Sequence, residues 1–253
     1  MIPVSDSVRS RSTPYVNIAF IGINVLVFLY QLTLSTVQPF GQLSELNRFF
    51  FDWGAIPACL GDQFSFEPDV PPRLLTAVCD ENRVLASPFT SMFMHGGWLH
   101  LIGNMIFLWV FGDNVEDSMG HFRYAIFYVV AGLAASSAHV FMNQNDIIPA
   151  IGASGAVSGV LGAYLVLFPR ARVSAFVPLF IILWPLRIPA VVLIGFWFLL
   201  QLFNGVATLS ATDVVGAGGG VAWFAHIGGF IAGIALVRVF TIRRRRLRVM
   251  STY

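Results

Sequence analysis

The chain has 253 residues, of which 57% are hydrophobic and 11% charged, with a mean hydropathy of +0.75 and a formal net charge of +2. Soluble globular chains carry about 25% charged residues, and disorder needs low hydrophobicity with high charge, so neither class fits. Two cysteines exclude a disulfide-dense secreted scaffold, and the small net charge, with no basic helix face, excludes a nucleic-acid binder; a polytopic membrane protein remains.

A spanning helix needs about 20 mostly apolar residues. Residues 1–15 form a polar N-terminal segment, and residues 16–34 are the first candidate span. That run is longer than a signal-peptide core and no small-x-small cleavage site follows it, so it reads as a span. Residues 35–92 form a long outer loop. Its Phe49, Phe50, Phe51 and Trp53 suit the membrane interface. Cys59 and Cys79 lie in the same loop, where they are either paired in an oxidising compartment or left as two thiols. Further candidate spans are residues 98–112, 122–142, 151–168, 188–206 and 221–240, followed by a basic tail, 241–253. Residues 173–186 are apolar but short, interrupted by Pro178 and Pro185 and flanked by Arg172 and Arg187. They read as an interfacial or re-entrant piece.

The arginines fix the orientation. With six spans and the N-terminus inside, Arg9, Arg11, Arg123, Arg170, Arg172, Arg187, Arg243–Arg246 and Arg248 are all inside. Only Arg48, Arg73 and Arg83 are outside, which is the positive-inside pattern. The expected fold class is therefore an all-α six-helix membrane bundle, residues 16–240, with both termini cytoplasmic.

Ionisable and polar groups inside spans are costly and are functional hypotheses by default. The set considered is His95, His100, Asn104, His139, Ser154, Ser158 and His226. Spans two, four and six run in the same direction. His100 with Asn104, Ser154, and His226 each lie near the outer end of one of them. At 1.5 Å per residue, His226 is about 8 Å below that end, and the others are comparably deep. His100 and Asn104, four apart, share one helix face. Ser154 stands at a helix N-terminus, where free N–H groups suit a developing oxyanion. A serine needs a base to become a nucleophile, and His226 is the histidine at matching depth on another span.

Each residue also has a blander reading. Ser154/Ser158/Gly162 and Gly155/Gly159 read as small-residue packing stripes, and Gly229 with Gly233 as close helix packing that presses His226 against span four. His95 reads as a structural hydrogen-bonder, His139 as a loop-edge histidine without a partner at its depth, and His121 as solvated in an inner loop.

Taken together, three segments resemble those of the rhomboid family of intramembrane serine proteases. His95-Gly96-Gly97-Trp98-Leu99-His100-Leu101-Ile102-Gly103-Asn104 resembles the family's H-x-x-x-x-H-x-x-x-N segment. Gly152-Ala153-Ser154-Gly155 resembles its G-x-S-G nucleophile motif, and Ala225-His226-Ile227-Gly228-Gly229, continuing to Gly233, resembles its last-helix motif. The resemblance implies Ser154 as nucleophile, His226 as general base, and an oxyanion hole from His100, Asn104 and the Ser154 N–H. His95, Gly152, Gly155, Gly229 and Gly233 would support them. It implies transmembrane protein substrates within the bilayer of a bacterial cell membrane, a site opening to the outer face, and no metal or nucleotide cofactor. Residues 112–116 resemble the family's Gly-x-x-x-Glu turn. Substrate access would run beside span five, past Phe196, Trp197 and Phe198, under a loop loosened by Gly216–Gly220. One departure is Ser158, where some members carry a tyrosine that stacks on the histidine; Trp223 or Phe224 could replace it. A non-catalytic relative that binds transmembrane clients would lack Ser154 or His226. A proton-relay transporter would need a polar path to the inner side, and the inner halves of these spans are apolar.

Overall fold

Apolar runs that leave water must satisfy their own backbone N–H and C=O groups, and a helix does so within one segment. The computed structural model describes residues 1–38, 42–63, 69–79, 83–179, 182–210 and 222–242, and it is mostly helical. The tail arginines 243–246 and 248 and the Gly216–Gly220 run lie outside the described residues. In chain order the elements are β1 (Ile2–Asp6), α1 (Tyr15–Gln31), α2 (Glu45–Trp53), α3 (Pro57–Gln63), α4 (Pro72–Val78) and α5 (Ser87–Thr90). They continue with α6 (Trp98–Met119), α7 (His121–Met142), α8 (Ser154–Leu167), β2 (Arg172–Leu179), β3 (Ile182–Pro189), α9 (Ala190–Ser210) and α10 (Trp223–Phe240). Each of the six expected spans contains one helix. Of these, α7, α9 and α10 are long and apolar enough to cross a membrane.

Two sequence expectations are corrected. The chain is not all-α: β1, β2 and β3 form one antiparallel sheet in that order, and the described residues 173–179 and 182–186 lie on its paired strands β2 and β3, not in a re-entrant piece. The prolines fit because β1 pairs with β2 only as far as Phe176, leaving Pro178 where the strand has a single neighbour, while Pro185 lies on the edge strand β3. Residues 112–116 are not a turn either. They continue α6 to Met119, because their polar groups find partners across the structure. The Glu116 carboxylate accepts from the Val16 and Asn17 N–H groups at 3.1 and 2.7 Å, capping α1. It also meets His121 Nδ1 at 2.5 Å, so His121 is hydrogen-bonded and not simply solvated. Asn114 donates to Asp6 at 3.0 Å, and Tyr164 donates to the same carboxylate, so the sheet is fastened to α6 and α8.

The centre of the bundle is α8, in which every residue from Gly155 to Tyr164 is buried. Small residues let α7 and α10 close on it. A methyl on Gly155 would lie 2.6 Å from Ala135 Cβ, and one on Gly159 would lie 2.5 Å from Ala131 Cβ. A methyl on Gly229 or Gly233 would overlap the carbonyls of Gly155 and Gly159. The Gly229-x-x-x-Gly233 stripe is therefore the contact that seats the His226 turn of α10 on the Ser154 turn of α8. With 14 residues, α8 is about 21 Å long, short of a hydrocarbon layer of about 30 Å.

The long loop between α1 and α6 has a core of its own, built from Ala55, Ile56, Cys59, Leu60 and Val84 and closed by Val140 of α7. Cys59 and Cys79 are disulfide-bonded. The loop is tied to the segment before α8 by paired Ala55 and Ala150 backbones at 3.1 and 2.8 Å.

Candidate functional site

Ser154 opens α8, so its own N–H and those that follow have no acceptor within the helix. The preceding loop reaches this point through Gly152, whose N–H donates to the Ser91 carbonyl at 2.9 Å and whose φ is +126°. Only glycine accepts that conformation readily, and there is no room for a side chain. A Cβ on Gly152 would stand 2.7 Å from both Cε1 and Nε2 of His100 and 3.6 Å from Ser154 Oγ. The Nε2 edge of His100 and the Ser154 hydroxyl therefore flank the same bare backbone.

His100 Nδ1 accepts from the Gly96 N–H at 3.4 Å, which leaves the proton on Nε2, the nitrogen beside Gly152. One turn further along α6, buried Asn104 uses one amide proton on the His100 carbonyl at 3.1 Å and retains another. His95 is 1% exposed, and the Gln31 side chain clamps its backbone by accepting from its N–H at 3.1 Å and donating to its carbonyl at 2.8 Å. Its ring packs edge-on against His100 at 5.0 Å.

His226 is 8% exposed and lies one residue beyond Ala225, whose carbonyl is 3.8 Å from the methyl position on Gly155. Ser154 and His226 thus occupy facing turns of two locked helices, although among the described residues no hydrogen bond joins them. Catalytic hydrogen bonds are often loose until substrate arrives. Ser158 turns its hydroxyl to the Ser154 carbonyl at 2.6 Å, so α8 offers the imidazole no stacking partner. Two tryptophans take that place: Trp223 meets the ring edge-on at 6.3 Å, and Trp197 of α9 lies tilted at 5.9 Å.

Ser154 borders a cavity also lined by Ser91, Ser136, His139, Gly152 and Ala225. It leaves about 30 Å³ for the centres of water molecules, enough to hold water beside the serine. His139, set aside in the sequence reading, faces this same cavity, with Nδ1 3.2 Å from the Asn143 amide.

Sequence reasoning missed Gln201. Its Oε1 lies 2.7 Å from His226 Nδ1, and its Nε2 donates to the Trp197 carbonyl at 3.2 Å. The signal was available, because a glutamine in a run as apolar as α9 is itself an expensive polar group. Glutamine, unlike histidine or serine, exchanges no proton, so its type alone does not mark a catalytic site.

Comparison with known proteins places these elements. The rhomboid domain matches residues 83–243 of the chain. RHOMBOID-like protein 5 of Arabidopsis thaliana is 39% identical over 74 residues, 29% of this chain and 24% of that protein. RHOMBOID-like protein 1 of the same plant is 30% identical over 158 residues, 61% of this chain and 34% of that protein. Rhomboid protease AarA of Providencia stuartii is 25% identical over 174 residues, 64% of this chain and 58% of that protein. The chain thus spans less than two thirds of the length of each of these relatives.

Proposed function

The chain belongs to the rhomboid family, and we propose that it is an intramembrane serine endopeptidase that hydrolyses peptide bonds in or near the transmembrane segments of other membrane proteins. In this reading α1 and α6 through α10 are six spans of a bacterial cell membrane. Both termini and the sheet are cytoplasmic, and the disulfide-bonded loop is outside.

Ser154 Oγ attacks the scissile carbonyl carbon while its proton passes to His226 Nε2. The oxyanion accepts from His100 Nε2–H, the free amide proton of Asn104 and the Ser154 N–H, donors that bring no charge needing its own partner in a low-dielectric site. The C–N bond then breaks as the imidazolium returns its proton to the leaving amine. Water from the cavity, deprotonated by His226, hydrolyses the acyl-serine ester. A substrate helix must unwind locally to present its carbonyl, so substrates should carry small or helix-destabilising residues near the outer end of the cleaved segment.

The observation that carries this reading is the bare Gly152 backbone, which sets the Nε2 edge of His100 and the Ser154 hydroxyl on either side of one small space at a helix N-terminus. A packing stripe has no need of that juxtaposition. Substrate access is placed between α9 and α10, where Phe198 stacks on Phe230 at 4.3 Å while Phe196 is exposed.

The test uses purified protein in liposomes with a model transmembrane substrate. Wild type should cleave, and Ser154→Ala and His226→Ala, each shown to be folded, should not. Cleavage that survives Ser154→Ala would overturn the reading.

A further inference from the structure

A dyad whose base is an uncharged imidazole faces a problem of tautomers. The ring carries one proton, and only the form with that proton on Nδ1 has its Nε2 lone pair free for serine. In the serine proteases of water-soluble folds, a buried carboxylate on Nδ1 holds this form, and the corresponding amide substitution there is costly because it leaves the wrong tautomer. Here no carboxylate borders His226 among the described residues. The group in that place is Gln201.

We propose that Gln201 is a positioning residue for His226, its amide oxygen accepting the Nδ1 proton and so holding the imidazole with Nε2 free to serve as base; the assignment rests on the endopeptidase reading above. The bond is 2.7 Å long and buried at both ends, with Gln201 6% and His226 8% exposed. An amide can present either its oxygen or its NH2, and the rest of the network decides which. Gln201 Nε2 donates to the Trp197 carbonyl one turn back on its own helix, at 3.2 Å. That leaves Oε1 toward the ring, and an amide oxygen only accepts, so Nδ1 is the protonated nitrogen.

The choice of a neutral acceptor fits the surroundings. A carboxylate buried at this depth would need a cationic partner to offset its desolvation, and among the described residues none lies beside it. The amide dipole orients the ring without adding a charge. Orientation also has to come from this side, because α8 supplies no aromatic and Ser158 is occupied with the Ser154 carbonyl. Trp197 and Gln201, one turn apart on α9, together set the plane and the proton of the imidazole.

The proposal is tested with full-length protein in liposomes and a model transmembrane substrate, comparing wild type, Gln201→Leu, Gln201→Glu and Ser154→Ala. Gln201→Leu keeps the size and removes the acceptor. It should lower kcat about 10- to 100-fold with KM little changed, and slow fluorophosphonate labelling of Ser154 to match. Gln201→Glu restores an acceptor and adds a charge that favours the imidazolium. It should recover most of the lost kcat and move the acidic limb of the pH–kcat profile to higher pH. Wild-type kcat and pH profile in Gln201→Leu, with Ser154→Ala inactive, would overturn the proposal and leave the endopeptidase standing. Equal losses in Gln201→Leu and Gln201→Glu with an unmoved pH profile would also overturn it, since that is what a packing role predicts. Full cleavage by Ser154→Ala would remove the endopeptidase reading, and the role of Gln201 with it.

Discussion

The helix that carries Ser154 and the helix that carries Gln201 are packed in opposite ways. Around α8 there is no spare space. Its glycines touch Ala131, Ala135 and the backbone of α10, and its residues from Gly155 to Tyr164 are buried. One face of α9 is open, although Ala190, Leu193, Ile194 and Gln201 on its other side are buried. Val192, Phe196, Leu199, Phe203 and Val206 are exposed, and a methyl on Gly195 would meet nothing within 4 Å. Tight packing suits a nucleophile whose position relative to its oxyanion donors decides the rate. Loose packing suits a wall that has to let a substrate helix past. In the proposed enzyme the two requirements meet at His226, which rides on the tight side while its Nδ1 partner sits on the loose side.

Three comparisons test that contrast, and a fourth tests the sheet. Gly152→Ala introduces a side chain at φ +126° and against the His100 ring; displacing donor and nucleophile should cost about 100-fold in cleavage, read as kcat in liposomes. Wild-type activity would mean that the bare backbone at Gly152 does not hold the site. Gly233→Ala drives a methyl into the Gly159 carbonyl and should destabilise the fold by about 2 kcal/mol, within the range for overpacked cores, as measured by unfolding in detergent. Gly195→Ala on α9 should be neutral or slightly stabilising, by up to about 1 kcal/mol from helix propensity. If the two alanines had equal effects, the contrast between the helices would be lost.

At the α9–α10 contact, Phe198→Ala removes the ring stacked on Phe230 and should raise cleavage of a membrane substrate severalfold, while Phe196→Ala, from an exposed position, should change little. Equal responses would remove the assignment of access to that contact. The smallest effect concerns the sheet. Burial, opposed by hydrogen bonds from Tyr164, Val8 and Asn114, raises the Asp6 pKa from 3.8 to about 6. The folded state therefore holds this proton more tightly than the unfolded chain. Its contribution to stability is complete below 3.8 and is lost as the pH rises through about 6. Wild type should gain thermal stability relative to Asp6→Asn as the pH is lowered from about 7 to about 4. A difference that does not change with pH would show that Asp6 does not couple the sheet to α6 and α8.

How much of this could be read in advance depended on how far the deciding partner lay along the chain. Each stretch expected to span contains a helix, because an apolar run of that length is a local signal. The end of α6 was missed because Asp113, Asn114 and Glu116 look like a loop until their partners, Asp6, Val16 and Asn17, arrive from about a hundred residues upstream. The sheet was missed partly for the same reason, since β2 also pairs with β1 from the first few residues of the chain, and partly because Pro178 and Pro185 marked the stretch only as too interrupted to span. Cys59 and Cys79 could be seen as able to pair, but their pairing rests on a loop fold that spacing alone does not supply. At the site, the choice of His100, Asn104, Ser154 and His226 came from counting residues along the expected spans. The tautomers did not, because they depend on Gly96 and Gln201.

The three-stranded sheet also has a consequence for the order in which the molecule is made. Strand β1 leaves the ribosome well before its partner β2, which begins only at Arg172. At about 5–20 residues per second, translation takes about ten to thirty seconds to reach it. In the proposed topology, the helices from α1 to α8 enter the bilayer throughout that interval while Ile2–Asp6 waits on the cytoplasmic side with an open edge. Pairing with β2 then draws the two ends of the nascent bundle together, before α9 and α10 bring Gln201 and His226.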